Sequence, residues 1–234
     1  MKYLFLAISC LTNFNAFASD QIQTLKTDIG VYKGTVVNGK PHGKGIYKYF
    51  NGNYYEGSFF NGLRHGEGFS ITSDGSKYRG QFSKGTFHGK GVFISSKNDI
   101  FDGYFLNNKR TGKGVVKFSN GNSYEGYFKD DLYNGQGIFI VANKKAKYVG
   151  NFLNGKFHGK GSTTFNDGSK TKYVGEYLEN SFHGLGTYTF PNGEQCIGRF
   201  KKGQLNGIAT CTDLDGNETK GKWKNGQLIE KIKN

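Results

Sequence analysis

The stretch "YEGSFFNGLRHGEGF", residues 55–69, decides how this chain is read. Alone, it resembles a site: a histidine between glycines, with two glutamates and several rings close by. Histidine beside carboxylates is a common combination in catalysis and metal binding. The spelling returns along the chain, however. The aromatic-x-Gly unit occurs at Tyr32-Lys33-Gly34, Tyr55-Glu56-Gly57, Tyr78-Arg79-Gly80, Phe101-Asp102-Gly103, Tyr124-Glu125-Gly126, Tyr148-Val149-Gly150 and Tyr173-Val174-Gly175. Degenerate copies follow at Cys196-Ile197-Gly198 and Thr219-Lys220-Gly221. Successive glycines are 23 residues apart, except for intervals of 24 and 25 between Gly126 and Gly175. Such a period marks a stack of supersecondary units.

With each repeat numbered from its aromatic, position 3 is Gly and position 5 is usually a ring: Phe59, Phe82, Phe105, Phe128, Phe152, Tyr177, Phe200 and Trp223. Positions 11 to 14 read His-Gly-x-Gly or nearly so. Asn-Gly and Asp-Gly pairs, which supply the positive φ of tight turns, mark one turn at Asn61-Gly62 and Asn154-Gly155 and a second at Asp74-Gly75 and Asn120-Gly121. Each repeat therefore holds two strands, at positions 1–6 and 12–18. Antiparallel pairing with 5 opposite 12 puts 1 opposite 16. Side chains alternate along a strand, so rings at 1 and 5 share a face with the glycines at 3 and 14 and would lie over them. By this pattern repeat two breaks the register, with Ser70 at position 16 between Phe69 and Ile71.

These recurring Tyr-x-Gly, Asn-Gly and His-Gly-x-Gly elements resemble the MORN repeat, in phase over about 200 residues. The resemblance implies an all-β fold, an elongated single-layer antiparallel sheet of tandem hairpins, with eight full repeats and a closing partial one over residues 31–234. It also implies protein interaction, oligomerisation or contact with anionic lipid. Catalysis, where such proteins have it, belongs to appended domains. Departures fall at Thr111, Asn134 and Asn206 in place of His, and at Cys196 and Thr219 in place of the ring. About 18 strands spaced about 4.8 Å apart would make a sheet roughly 85 Å long. Its end strands, near residues 31–36 and 219–223, would offer unpaired backbone to a second copy, unless residues 19–30 and the tail from Gln227 cover them.

Composition agrees: 37 Gly, 21 Phe and 15 Tyr against 2 Pro describe many short strands and turns rather than a disordered linker. Residues 1–18 read as a secretory signal peptide. Lys2 precedes an apolar run, and Ala16-Phe17-Ala18 supplies the small residues a signal peptidase requires. Cleavage after Ala18 implies a periplasmic or secreted protein. A lipoprotein reading of Cys10 is disfavoured, because only nine residues precede it. The net charge of +14 favours anionic partners, although export argues against nucleic acid.

No catalytic residue, metal ligand or cofactor is expected. His42, His65, His88, His158 and His183 occupy one repeat position, two strands or roughly 10 Å apart, too far for a shared metal. A packing role, or a bond to backbone, fits them better. Cys196 and Cys211 fall at positions 1 and 16, directly opposite, and are expected to form a disulfide; the alternative is two small buried thiols. Positions 2 and 15 pair on the other face. Early repeats put the charge at 2 and the apolar residue at 15, and later repeats reverse this. That face is either covered by long polar stems or an apolar docking stripe.

Three surfaces are candidates for binding. The first is an aromatic groove of Tyr55, Phe59, Tyr78, Phe82, Tyr124, Phe128, Tyr148, Phe152, Tyr173 and Tyr177. The second is a lysine cluster on the two inserted turns, Lys144, Lys145, Lys147, Lys170 and Lys172, and the third a basic set of Lys109, Arg110, Lys113, Lys156 and Lys160. The expected function is that of an exported, non-enzymatic scaffold binding a protein partner or a second copy of itself as a homodimer. The alternative is a binder of anionic membrane or acidic polymer through the lysines.

Overall fold

The computed structural model describes residues 21–232. The signal segment at 1–18 lies outside the described residues. The chain forms nineteen strands, β1 to β19 in chain order, in one antiparallel sheet. Each strand pairs with its neighbours in the chain, so the sheet is a continuous meander that stays open. At the ends the flanking segments cover the first and last repeat strands. β1 (Gln23–Thr27) pairs β2 (Gly30–Val37), and β19 (Gln227–Lys231) pairs β18 (Glu218–Lys224). The strands at 31–36 and 219–223 are therefore interior, and the free edges belong to the short flanking strands.

Repeat two shows how the unit is built. In β4 (Tyr54–Phe60) and β5 (Leu63–Ile71), Tyr55 faces Ser70 and Gly57 faces Gly68. The register at Ser70 is intact. Nearer the turn it departs from expectation: Phe59 faces Arg64, so position 5 pairs with 10 and not with 12, and the second strand starts at position 9. The second strand carries two extra residues here, a bulge that lets Gly66 turn left-handed at φ 65°. Gly66 instead faces Phe82 of the next repeat. The bulge recurs with Gly43 at φ 58°, Gly89 at 56° and Gly112 at 60°.

The turn at positions 7 and 8 has φ positive at both residues in every repeat, as two-residue hairpin turns require. Asn61-Gly62 obeys the expected spelling, but Asn107-Asn108, Asp130-Asp131 and Glu179-Asn180 adopt the same geometry without glycine. Each position-8 N–H donates to the position-10 carbonyl of the preceding repeat, from Gly62 to Pro41 at 2.8 Å through to Gly226 to Leu205 at 3.0 Å. This turn-to-turn bond ties successive hairpins together at a constant spacing.

A single-layer sheet has no second sheet to cover its apolar face, and here the rings cover each other. The position-1 tyrosine lies across the glycines of positions 3 and 14. A Cβ on Gly91 would come within 2.6 Å of the Tyr78 ring, which is why both positions stay glycine. Its hydroxyl donates to the position-4 carbonyl in the bulge, as from Tyr55 to Ser58 at 2.8 Å and from Tyr78 to Gln81 at 2.9 Å. Edge-to-face contacts then run unbroken along the sheet, Tyr32 to Phe59 to Tyr55 to Phe82 to Tyr78, and onward to Phe200. Position 10, assigned to a turn by pattern alone, supplies a second layer. Phe87 stacks on Tyr78, Tyr133 on Tyr124 and Phe157 on Tyr148, all at 3.8 Å.

Candidate functional site

The ten rings expected to line a groove form the core. Tyr55 and Tyr124 are fully buried, and Phe59, the most exposed of the ten, reaches only 4 %. Tyr78, Phe82, Phe128, Tyr148, Phe152, Tyr173 and Tyr177 lie between. Stacking by position 10 takes them out of reach of any partner. Burial also pushes the hydroxyls of Tyr78, Tyr148 and Tyr173 up to about 12, because the phenolate would have to form in the ring layer.

Exposed apolar surface lies on the opposite face instead. Positions 2 and 15 pair across every strand there, in a row that runs Lys33, Ile46, Glu56, Phe69, Arg79, Val92 in the first repeats. Long charged stems flank each apolar residue, and the Arg79 guanidinium sits 5.1 Å over the Phe69 ring. From repeat six the phase inverts. The row becomes Val149, Ser162, Val174, Thr187, Ile197, Thr210. Ser and Thr have no stem to lay over a neighbour, and Val149, Val174 and Ile197 are 39, 44 and 58 % exposed. Position 13 changes one repeat later, from Lys44, Glu67, Lys90, Lys113, Gln136 and Lys160 to Leu185 and Ile208, which are 56 and 59 % exposed. Alternation along the second strand puts position 13 on the face of position 15, so this switch is legible in the sequence.

The lysine-rich inserted turns lie side by side, since the Asn166 N–H donates to the Lys145 carbonyl at 2.7 Å. Lys147 and Lys172 flank Thr164 on adjacent strands, close to Val149 and Val174. Lys144, Lys145, Lys170 and Lys172 are exposed. Asp167 lies within electrostatic reach of Lys145. Hydrogen bonds from Ser169, with help from that lysine, hold the Asp167 carboxyl below the usual carboxylate range.

The second basic set does not form a free patch. Lys109 pairs with Asp130 at 3.5 Å, Arg110 with Asp131 at 3.1 Å and Lys156 with Glu179 at 3.2 Å. Lys113 lies over the Tyr127 ring. Pairing with the next hairpin's turn neutralises what the sequence presented as loose charge; only Lys160 keeps the setting first read for it, exposed on its strand.

Two of the five histidines pack against a ring on this opposite face. His42 and His65 lie 5.2 and 5.9 Å from Phe60. Among the described residues, no three His, Cys, Asp or Glu side chains converge as metal ligands would. Cys196 and Cys211 stand opposite each other on β16 (Gln195–Lys201) and β17 (Gln204–Thr212), Cα atoms 4.0 Å apart and sulfurs within bonding distance. They occupy the place of a ring and its partner, and the ring ladder ends beside them at Phe200. With no ring overhead, position 14 of this repeat accommodates Ala209 instead of glycine.

Two solved structures share this general form at low similarity. One is the SAS-4 (dCPAP) TCP domain of Drosophila melanogaster in complex with a proline-rich motif of Ana2 (dSTIL), 10 % identical over 91 % of this chain and 97 % of that one, with a TM-score of 0.37. The other is the wild-type TCP10 domain of Danio rerio CPAP, 11 % identical over 81 % of this chain and 99 % of that one, with a TM-score of 0.43. No curated protein sequence matches the chain. The MORN repeat matches eight times, at residues 32–54, 55–77, 78–100, 101–123, 124–144, 148–170, 173–195 and 196–218. These segments begin at the eight position-1 residues whose rings, or whose cysteine, organise the sheet, and the chain belongs to the MORN repeat family.

Proposed function

We propose that this protein is an exported, non-enzymatic scaffold that binds a polypeptide partner or a second copy of itself through the opposite face of repeats six to eight. The observation that carries this reading is the contiguous set Val149, Val174, Leu185, Ile197 and Ile208, each 39 to 59 % exposed. Scattered exposed apolar residues are ordinary, but a contiguous group on a flat sheet face favours association. The regular repeat makes the group rigid, which lowers the ordering cost of binding. Charged replacements such as Val174→Lys with Ile197→Lys should leave the melting temperature unchanged. They should abolish self-association in light scattering, or capture of a cross-linked partner from the exported fraction. Unaltered association in the double variant overturns the reading.

The adjacent lysines support a second reading, binding of an anionic membrane surface or acidic polymer. Lys144, Lys145, Lys170 and Lys172 are exposed on two neighbouring turns. Salt separates the two. Polyanion binding weakens steeply as ionic strength rises, whereas apolar docking changes little.

A further inference from the structure

A cleft of about 520 Å³ opens near the start of the array, lined by Asp28, Tyr49, Phe50, Arg64, Ser70 and Thr72 among others. Its size falls in the range of small-ligand sites. On the ring face it is lined by two residues of repeat two that stand where several other repeats have rings. Position 16, a ring at Tyr47, Phe93, Phe139 and Tyr188, is Ser70. Position 10, a ring at Phe87, Tyr133, Phe157 and Phe182, is Arg64. Ser70 is 4 % exposed and is too small to fill the space a ring would take at this position.

The chain holds an internal control for Arg64. Arg110 occupies the same repeat position, its guanidinium 5.6 and 5.3 Å over Phe101 and Phe128. Arg64 sits likewise, 5.7 and 5.1 Å over Tyr55 and Phe82. Arg110 is neutralised by Asp131, whose carboxylate lies 3.1 Å from its Nε and whose carbonyl accepts from its Nη2 at 3.0 Å. The residue equivalent to Asp131 beside Arg64 is Gly85. The Gly85 carbonyl accepts from Arg64 Nη2, but no carboxylate is there, and among the described residues Arg64 has no ion-pair partner. A half-buried guanidinium without a counter-ion at the wall of a cleft is a place for an anion.

We propose that this cleft binds a carboxylate carried on a planar or apolar body, with the carboxylate at Arg64 and the body against the half-buried Tyr49 ring, in the space that Ser70 leaves open. Tyr49 stacks on Tyr47 at 4.2 Å, which fixes its plane. Burial raises its hydroxyl pKa, with the Arg64 charge pulling the other way, so near neutral pH the hydroxyl remains a donor. Asp28, the one acid on the lining, is exposed and screened by solvent. The site lies at the other end of the array from the stripe of repeats six to eight and stands independently of it. The carboxylate could belong to a free small acid or to a polypeptide.

Titration calorimetry of the full chain with phenylacetate, with a short peptide ending in a free phenylalanine carboxylate, and with the same peptide amidated tests this. At least one acid should bind, and the amide should not. Binding of phenylacetate alone identifies a free acid as the source, and binding of the peptide alone a chain terminus. Arg64→Met should weaken binding by about tenfold or more. Two further variants preserve the fold. Gly85→Asp supplies the missing carboxylate at φ 84°, where Asp131 holds 70° and where a Cβ meets open space. Ser70→Phe restores the ring its siblings have. Both should abolish binding, and Gly85→Asp should raise the melting temperature. The proposal fails if neither acid binds at millimolar concentration, if the amide binds equally, or if binding survives in both Gly85→Asp and Ser70→Phe.

Discussion

In repeats one to four each apolar residue of the middle row, such as Phe69, stands between charged residues such as Glu56 and Arg79. In repeats six to eight the corresponding residue, such as Val174, stands between Ser162 and Thr187. The ring faces of the two regions are alike. Each strand pair retains one apolar partner, and the sheet is indifferent to which strand supplies it. The polar partner's length matters, because a long stem covers its neighbour and a hydroxyl does not. The turns separate the same two regions. In the first, Asn53 accepts from Ser73, Ser76 from Ser96, Asp99 from Ser119 and Asn122 from Ala142, at 2.8 to 3.0 Å. That ladder ends where the lysine-rich turns begin. A change neutral to the fold thus uncovers the middle row in one half of the molecule and leaves it covered in the other.

The largest expected effect tests what the two regions share. The raised hydroxyls of Tyr78, Tyr148 and Tyr173 bind protons more tightly in the folded state than the ordinary value of 10.0 allows once unfolded. Their contribution is complete below about pH 10 and is lost as pH rises toward 12. Absorbance at 295 nm should therefore show tyrosine ionisation coinciding with cooperative loss of the sheet in that window. Ionisation of these rings with the fold intact would contradict the packing.

Next in size, Tyr78→Ala and Tyr173→Ala place the same hole in each region. Each removes a ring stacked on a position-10 phenylalanine, and each should cost about 3 to 5 kcal/mol in chemical denaturation. A clearly smaller loss at Tyr173 would mean that the ring faces are not equivalent.

Removal of the Cys196–Cys211 bond by paired Ser substitution should cost about 3 kcal/mol. Hydrogen exchange should accelerate in repeat eight and the closing strands, with repeats one to five unchanged. Mass spectrometry of the exported protein under non-reducing conditions checks the bond itself.

The smallest effect on stability and the sharpest on function should come from Ser162→Lys with Thr187→Lys. These give the later repeats the stems of the earlier ones. Stability should stay within about 0.5 kcal/mol, while association through the stripe is lost.

Much of this was legible in the residues. The Tyr-x-Gly phase located all eight repeats, and the pairing of Tyr55 with position 16 and of Gly57 with Gly68 followed from alternation alone. Cys196 opposite Cys211 followed in the same way. The errors share one cause. His-Gly-x-Gly was read as the entry to a strand, whereas Gly66 makes a bulge inside one, and position 10 was lost with it. Without position 10 the tyrosines looked like a groove, and Arg110 looked like surface charge.

The sequence by itself determined the period, the phase and the order of the hairpins. Every strand pairs with a chain neighbour, so each contact spans little more than one repeat, and a local pattern suffices to specify it. The tertiary structure alone decided what is left exposed. Burial here depends on a bulge that shifts the register, on rings stacked from one strand over another, and on whether a neighbour's side chain is long enough to lie across a gap. It also set Arg64 and Ser70 around one cleft, with Arg64 lacking the carboxylate that its counterpart Arg110 has in Asp131.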